Sequence, residues 1–173
     1  MANHNNPNGL HVLNAEKYTM QKYYVDANYA GGPTDIVYGP DSAGYATDTA
    51  TTRGIGVQGS EIIDGPTMAV NATASGTVGA DYVLIYDDPM LRFWAQITTY
   101  TATDPYTTMT DTSAFDVAGT TGVQYIDAAA SSYDTCRIIK AYYEPDTGIE
   151  SVIGAYGKVI SGFTNLWHFR MDT

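Results

Sequence analysis

The sequence predicts an all-β protein of one domain, and three observations carry that expectation. Fifteen tyrosines, seventeen glycines and abundant threonine are the residue types of pleated, half-buried strands and tight turns. In the clearest stretch, residues 81–97, "DYVLIYDDPMLRFWAQI", apolar residues alternate at period two. Helical spacing is nowhere sustained, a short segment within 108–117 being the one place for it. A chain of 173 residues falls within the length of one domain and can bury about two thirds of its unfolded surface. The strands suit an antiparallel β-barrel or a jelly-roll-like sandwich, and the pattern alone leaves both open. The β domain is assigned residues 18–173, preceded by an extended N-terminal arm over 1–17.

The arm, "MANHNNPNGLHVLNAEK", is polar and rich in asparagine, with Pro7 and Gly9 against regular structure and only Leu10, Val12 and Leu13 as apolar anchors. "YTMQKYYV" (18–25) has strand composition, and the glycines at 31 and 32 followed by Pro33 mark a turn before a short strand "DIVY". Residues 39–53 read as a surface excursion. Strands are expected around "GIGVQG" and "EIIDG", followed by turns and an edge strand within "PTMAVNATASGTVGA".

In the opening stretch, Leu91, Phe93, Ala95 and Ile97 fall on one side and Arg92, Trp94 and Gln96 on the other, the mark of a half-buried strand. Before it, Tyr82, Leu84 and Tyr86 share one face and Val83 and Ile85 the other, so a second layer or a neighbouring subunit must cover each. "GVQYIDA" and "CRIIKAYY" resume strand patterns, "EPDTGIES" is a loop, and "FTNLWHFRM" reads as a final aromatic strand.

Nineteen acids against eight bases give a net charge of −11, which repels phosphate backbones and anionic membranes, so neither nucleic acid nor membrane is an expected partner. The lone Cys136 cannot close an intrachain disulfide and reads as a small core residue of a reducing compartment. The opening residues lack the cationic start and apolar run of a signal peptide, and the protein is expected to be made in the cytoplasm and to stay soluble.

Candidate chemistry is sparse. Asp87 and Asp88 stand before Pro89, where Asp favours the first position of a turn and Pro pre-sets the second. Adjacent strand residues also point to opposite faces, so a turn explains the pair better than acid–base catalysis does. His4, His11 and His168 show no metal-ligand spacing, and the acidic loop "TDPYTTMTDTSAFD" lacks a calcium-loop pattern. Arg137 beside Cys136 diverges from it on a strand, and neither a nucleophile elbow nor a phosphate loop occurs. No catalytic residue, no cofactor and no metal site is expected, and the chain is read as a non-enzyme.

What remains is the order of three motifs: "MAN…NPNGL" at the start, "DYVLIYDDPMLRFWAQ" in the middle and "RIIKAYYEPDTGIES…GKVISGFTNLWHF" at the end. Over about half the chain this order resembles a family of small virion proteins of tailed bacteriophages, the capsid decoration or cement proteins. The Gly-Asp-Pro-Val strand start of that family is replaced here by "YGPDSA". The resemblance implies a structural protein on the capsid exterior of the virion, bound to the major capsid protein and associating as a homotrimer. Contacts to partners are expected from Asn3, Pro7, Leu10, Val12 and Leu13 of the arm and from Trp94. Other readings are a tail- or fibre-associated β-protein, or a carbohydrate-binding β-sandwich using Trp94 as a stacking platform.

Overall fold

A computed structural model of the chain describes residues 7–50, 53–98, 115–128, 135–142 and 157–164. In chain order the elements are β1 (His11–Val12), a 3-10 turn (Ala15–Lys17), β2 (Gln21–Tyr24), β3 (Ile36–Tyr38), β4 (Gly54–Gln58), β5 (Ile62–Asp64), β6 (Val70–Asn71), β7 (Asp81–Tyr86), β8 (Arg92–Gln96), β9 (Asp116–Ala118), β10 (Tyr125–Asp127), β11 (Cys136–Ala141) and β12 (Lys158–Phe163). The protein is all-β, and every strand pairing is antiparallel. A four-stranded sheet runs β1-β8-β12-β11, and a larger one runs β3-β4-β7-β5-β6 with β2 on the other side of β7. β9 and β10 form a hairpin tied to the four-stranded sheet by single bridges, Ile97 to Ile126 and Phe115 to Cys136. Among the described residues neither sheet closes on itself.

Consecutive strands β7 and β8 do not pair, so the turn between them is a corner from one sheet into the other. The Leu91 N–H donates to the Asp88 carbonyl at 2.9 Å, closing a turn with Pro89 at its second position. The Met90 N–H donates to Asp88 Oδ1 at 2.7 Å and fixes the same bend.

One core cluster joins the inner face of the four-stranded sheet (Phe93, Ala95, Val159, Cys136, Ile138, Phe163) to Ile36, Tyr38 and Val57 of the larger sheet. Phe93 and Phe163 meet with ring centroids 5.1 Å apart, a tilted pairing that adds directional attraction to area burial. A second cluster, with Val25, Tyr29, Val37, Ala46, Ile62, Val83 and Ile85, lies on the opposite face of the larger sheet. The cover that Val83 and Ile85 require therefore comes from this chain's own segment 25–46.

Buried polar groups tie that segment down. Tyr29 Oη donates to Gln58 Oε1 at 2.6 Å, and Gln58 Nε2 donates to the Gly31 and Ser60 carbonyls. The Asp35 carboxylate accepts the N–H groups of Gly32 and Gly122, while the Ile36 N–H donates to Gln124 Oε1. Burial, above all, pushes the Asp35 carboxyl up; its two backbone bonds oppose the shift and the charge of Asp48 adds to it.

Two irregularities set which side chains face outward. β4 and β5 lie end to end along one side of β7, but carry two more residues than β7 between the Gln58–Ile85 and Ile63–Tyr82 pairs. The Gly59 N–H donates to the Leu84 carbonyl and Ser60 Oγ accepts the Leu84 N–H across this bend. In β11 the register against β12 shifts between Ile138 and Lys140, so Ile138 and Ala141 both face inward while Arg137 and Lys140 both face outward. Strict alternation would have put Lys140 on the side of Cys136 and Ile138, where burying its ammonium is unfavourable.

Several expectations need correction. The arm assigned to 1–17 does not stand apart over residues 7–17: Leu10 is fully buried in the core, its N–H donates to the Thr34 carbonyl, and β1 pairs with β8. Three apolar residues within four positions suffice for an edge strand once β8 offers a partner, whatever the flanking asparagines suggest. β12 occupies Lys158–Phe163, a strand the sequence reading placed only from Phe163 onward. The stretches "EPDTGIES" and 165–171, and the possible helix at 108–114, lie outside the described residues.

Candidate partner-binding surfaces

The expected site residues fall in different places. Asn3, His4 and His168 lie outside the described residues. Leu10 belongs to the core and Val12 packs against it, so Leu10 offers nothing to a partner. Pro7 and Leu13 are half-buried, and the Leu13 N–H donates to the Arg92 carbonyl at 2.8 Å.

Asp87 and Asp88 part company. Asp87 Oδ2 accepts the Tyr23 hydroxyl at 2.6 Å, whereas Asp88 serves its own turn. Burial, then the Asp87 bond and charge, push the Tyr23 phenol far up. Cys136 is fully buried, its Sγ 3.5 Å from the Phe115 carbonyl, and burial followed by the charge of Asp116 raises the thiol. Among the described residues no group of three or more His, Cys, Asp or Glu is placed to hold a metal ion, and no helix is long and apolar enough to cross a membrane.

Trp94 does stand on the outer face of the four-stranded sheet, at the centre of a cluster. His11 stacks on it at 4.2 Å and 13°, and Tyr142 at 5.0 Å and 25°, with Lys158 Nζ 5.2 Å from the ring centroid. His11 approaches from the β1 side; Tyr142 and Lys158 approach from the β12–β11 side. Both faces of the indole are thereby occupied, and its edge is what remains to present. His11 Nε2 lies 3.0 Å from the Asn8 carbonyl. Desolvation lowers the His11 pKa most, the Asn8 bond opposes this, and the charge of Lys158 lowers it further.

A second surface lies on the larger sheet. The register places Tyr24, Tyr82, Ile63 and Val70 side by side across β2, β7, β5 and β6, on the face that carries Val57 and Tyr86 further along. Val57 and Tyr86 lie beneath the main core; of the row beyond them Tyr82 is still buried and Ile63 half-buried, while the two ends of the row are exposed. Val70 is 67% exposed and Tyr24 46%, beside Met68 at 63%. Tyr82 Oη sits 3.4 Å from Met68 Sδ, and Lys22 Nζ lies 4.1 Å from the Tyr82 ring centroid and 4.7 Å from that of Tyr24.

Sequence reasoning named Trp94 because β8 alternates so regularly. It missed His11, Tyr142 and Lys158, which reach Trp94 only through pairing between distant strands. Ile63 and Val70 were missed because two- and three-residue strands are too short to show a period. Comparison with protein-family models, with characterised proteins and with solved structures finds no match.

Proposed function

We propose that this chain is a structural virion protein, a capsid decoration or cement protein that binds the outer surface of a tailed-phage head and stabilises the lattice of the major capsid protein. The observation that carries the reading is the row Tyr24–Tyr82–Ile63–Val70 with Met68, an apolar sheet face on which Tyr24, Val70 and Met68 are exposed, Ile63 is half-buried and Tyr82 is buried. Exposed apolar continuations of an interior face mark places where another chain completes the burial. The order of the three motifs supports the family assignment, and a net charge of −11 suits the outside of a shell packed with DNA. On this reading the two packed sheets are a jelly-roll-like sandwich, sister subunits of a homotrimer meet along the apolar row, and the trimer clamps the assembled shell. Binding the shell and not its precursor stabilises it by mass action.

The carbohydrate-binding reading is weaker, because the indole faces a sugar would stack on are taken by His11 and Tyr142. The test combines the native mass of the purified protein with cosedimentation on expanded phage shells that lack a decoration protein. A trimeric mass and saturable cosedimentation are expected. A monomer that ignores shells but is retained on a glycan array overturns the proposal.

A further inference from the structure

We infer that the outer face of the four-stranded sheet is a docking face for an acidic protein surface. Four of the chain's eight Lys and Arg residues, Arg92, Arg137, Lys140 and Lys158, project from this one face. None of its four strands contains an aspartate or glutamate among the residues that form them. In a protein of net charge −11 this is a strong segregation, and the register shows how it is built. Arg92, Gly162 and Arg137 form one row across β8, β12 and β11; Trp94, Ile160 and Lys140 form the next.

Gly162 leaves the space that Arg92 uses. A Cβ there would stand 2.6 Å from Arg92 Nη1, so the guanidinium lies over β12 on the way to the Arg137 strand. The irregularity at Ile139 turns Lys140 outward beside Ile160 and leaves Ile139 itself 45% exposed. The result is an apolar and aromatic centre, the Trp94 edge with Ile160 and Ile139, flanked by two arginines and two lysines. Trp, Tyr and Arg around a desolvated centre are the residues that dominate binding energy at protein interfaces.

Charge complementarity makes the occupant anionic, and dimensions make it a protein. Three strands of five or six residues and the two-residue β1 give a face on the order of 15–20 Å each way. A nucleic-acid strand crossing it would carry a phosphate about every 3.4 Å and run beyond it along a chain of net charge −11, whereas a compact set of carboxylates would not. Such a face is smaller than the roughly 800 Å² per partner of a standard stable interface, so single contacts are weak and repeated presentation strengthens them. This holds whether or not the acidic surface belongs to a capsid.

The experiment titrates the intact protein with a deca-glutamate peptide and with a single-stranded oligodeoxynucleotide of equal charge, and follows Trp fluorescence and amide shifts in β8, β11 and β12. Sedimentation equilibrium of the protein alone runs in parallel. Saturable binding of the peptide, weakened at least tenfold by Arg137→Glu/Lys140→Glu at two exposed positions and strengthened as salt falls, is expected. Tighter binding of the oligonucleotide overturns the inference in favour of nucleic acid. Self-association abolished by the double variant, without peptide binding, overturns it in favour of a second copy of the chain, and silence at β8, β11 and β12 overturns it outright. Gly162→Ala, which displaces Arg92 while leaving every charge in place, separates a positioned cluster from mere charge: it weakens the peptide severalfold if the inference is right and leaves binding unchanged if it is wrong.

Discussion

The two sheets handle inside and outside differently. In the four-stranded sheet β8 alternates, so Leu91, Phe93, Ala95 and Ile97 are fully buried while Arg92 and Trp94 between them are not, although Gln96 on their side is buried too. The larger sheet is buried on both sides over part of its area, by the main core at Val57 and by the 25–46 segment at Val83 and Ile85, and open at Val70 and Tyr24. The first arrangement makes the strand pattern plain and concentrates Arg92, Arg137, Lys140 and Lys158 on one outer face. The second hides the pattern, because a strand with two apolar faces does not announce which of them is uncovered.

That contrast is broken most sharply at Phe93, where truncation to Ala should lower unfolding stability by about 3–5 kcal/mol in denaturant titration, as in other large-to-small core changes. Leu10→Ala should follow at about 2–4 kcal/mol, since Leu10 is fully buried; a loss near zero would restore the detached arm. On the side of the larger sheet, Gly31→Ala places a Cβ 2.7 Å from Tyr29 Oη and 2.8 Å from Gln58 Oε1, and the strain should lower stability by about 1–3 kcal/mol. Ser161→Ala should raise stability by about 1 kcal/mol, because the buried Ser161 hydroxyl has no hydrogen-bond partner.

The smallest effect is a pH dependence. The His11 pKa lies below its ordinary 6.5, so the unfolded chain binds the proton more readily than the folded one. The stability tied to neutral His11 is full above pH 6.5 and falls as pH drops towards the folded value. The protection of β1 amides from hydrogen exchange, taken relative to their intrinsic rate at each pH, should fall between pH 7 and pH 5, and His11→Gln should flatten that slope.

Much of the four-stranded sheet was legible in the sequence. The alternation of 91–97 located β8, both its faces and Trp94, and "CRIIKAYY" located β11, though the extra residue at Ile139 leaves no local trace and so hid the outward turn of Lys140. Asp88 with Pro89 announced a turn, but nothing nearby could say that it passes between sheets and not back along a hairpin. Leu10 was missed because burial depends on Thr34 and β8, far along the chain, and not on its polar neighbours. The cluster around Trp94 was half visible: one ring was found, and the partners that sandwich it arrive from three other strands or their ends.

The bend where Gly59 and Ser60 interrupt the run along β7 carries a rule of parity. Its surplus of two keeps Val57 and Ile63 in phase on one side of the ribbon. Dropping a single residue there would invert the ribbon from Ile62 to Asp64, exchanging its wet and dry sides, whereas dropping a pair would merely straighten it. Lengthening or trimming this corner in related chains is therefore tolerable only in even steps.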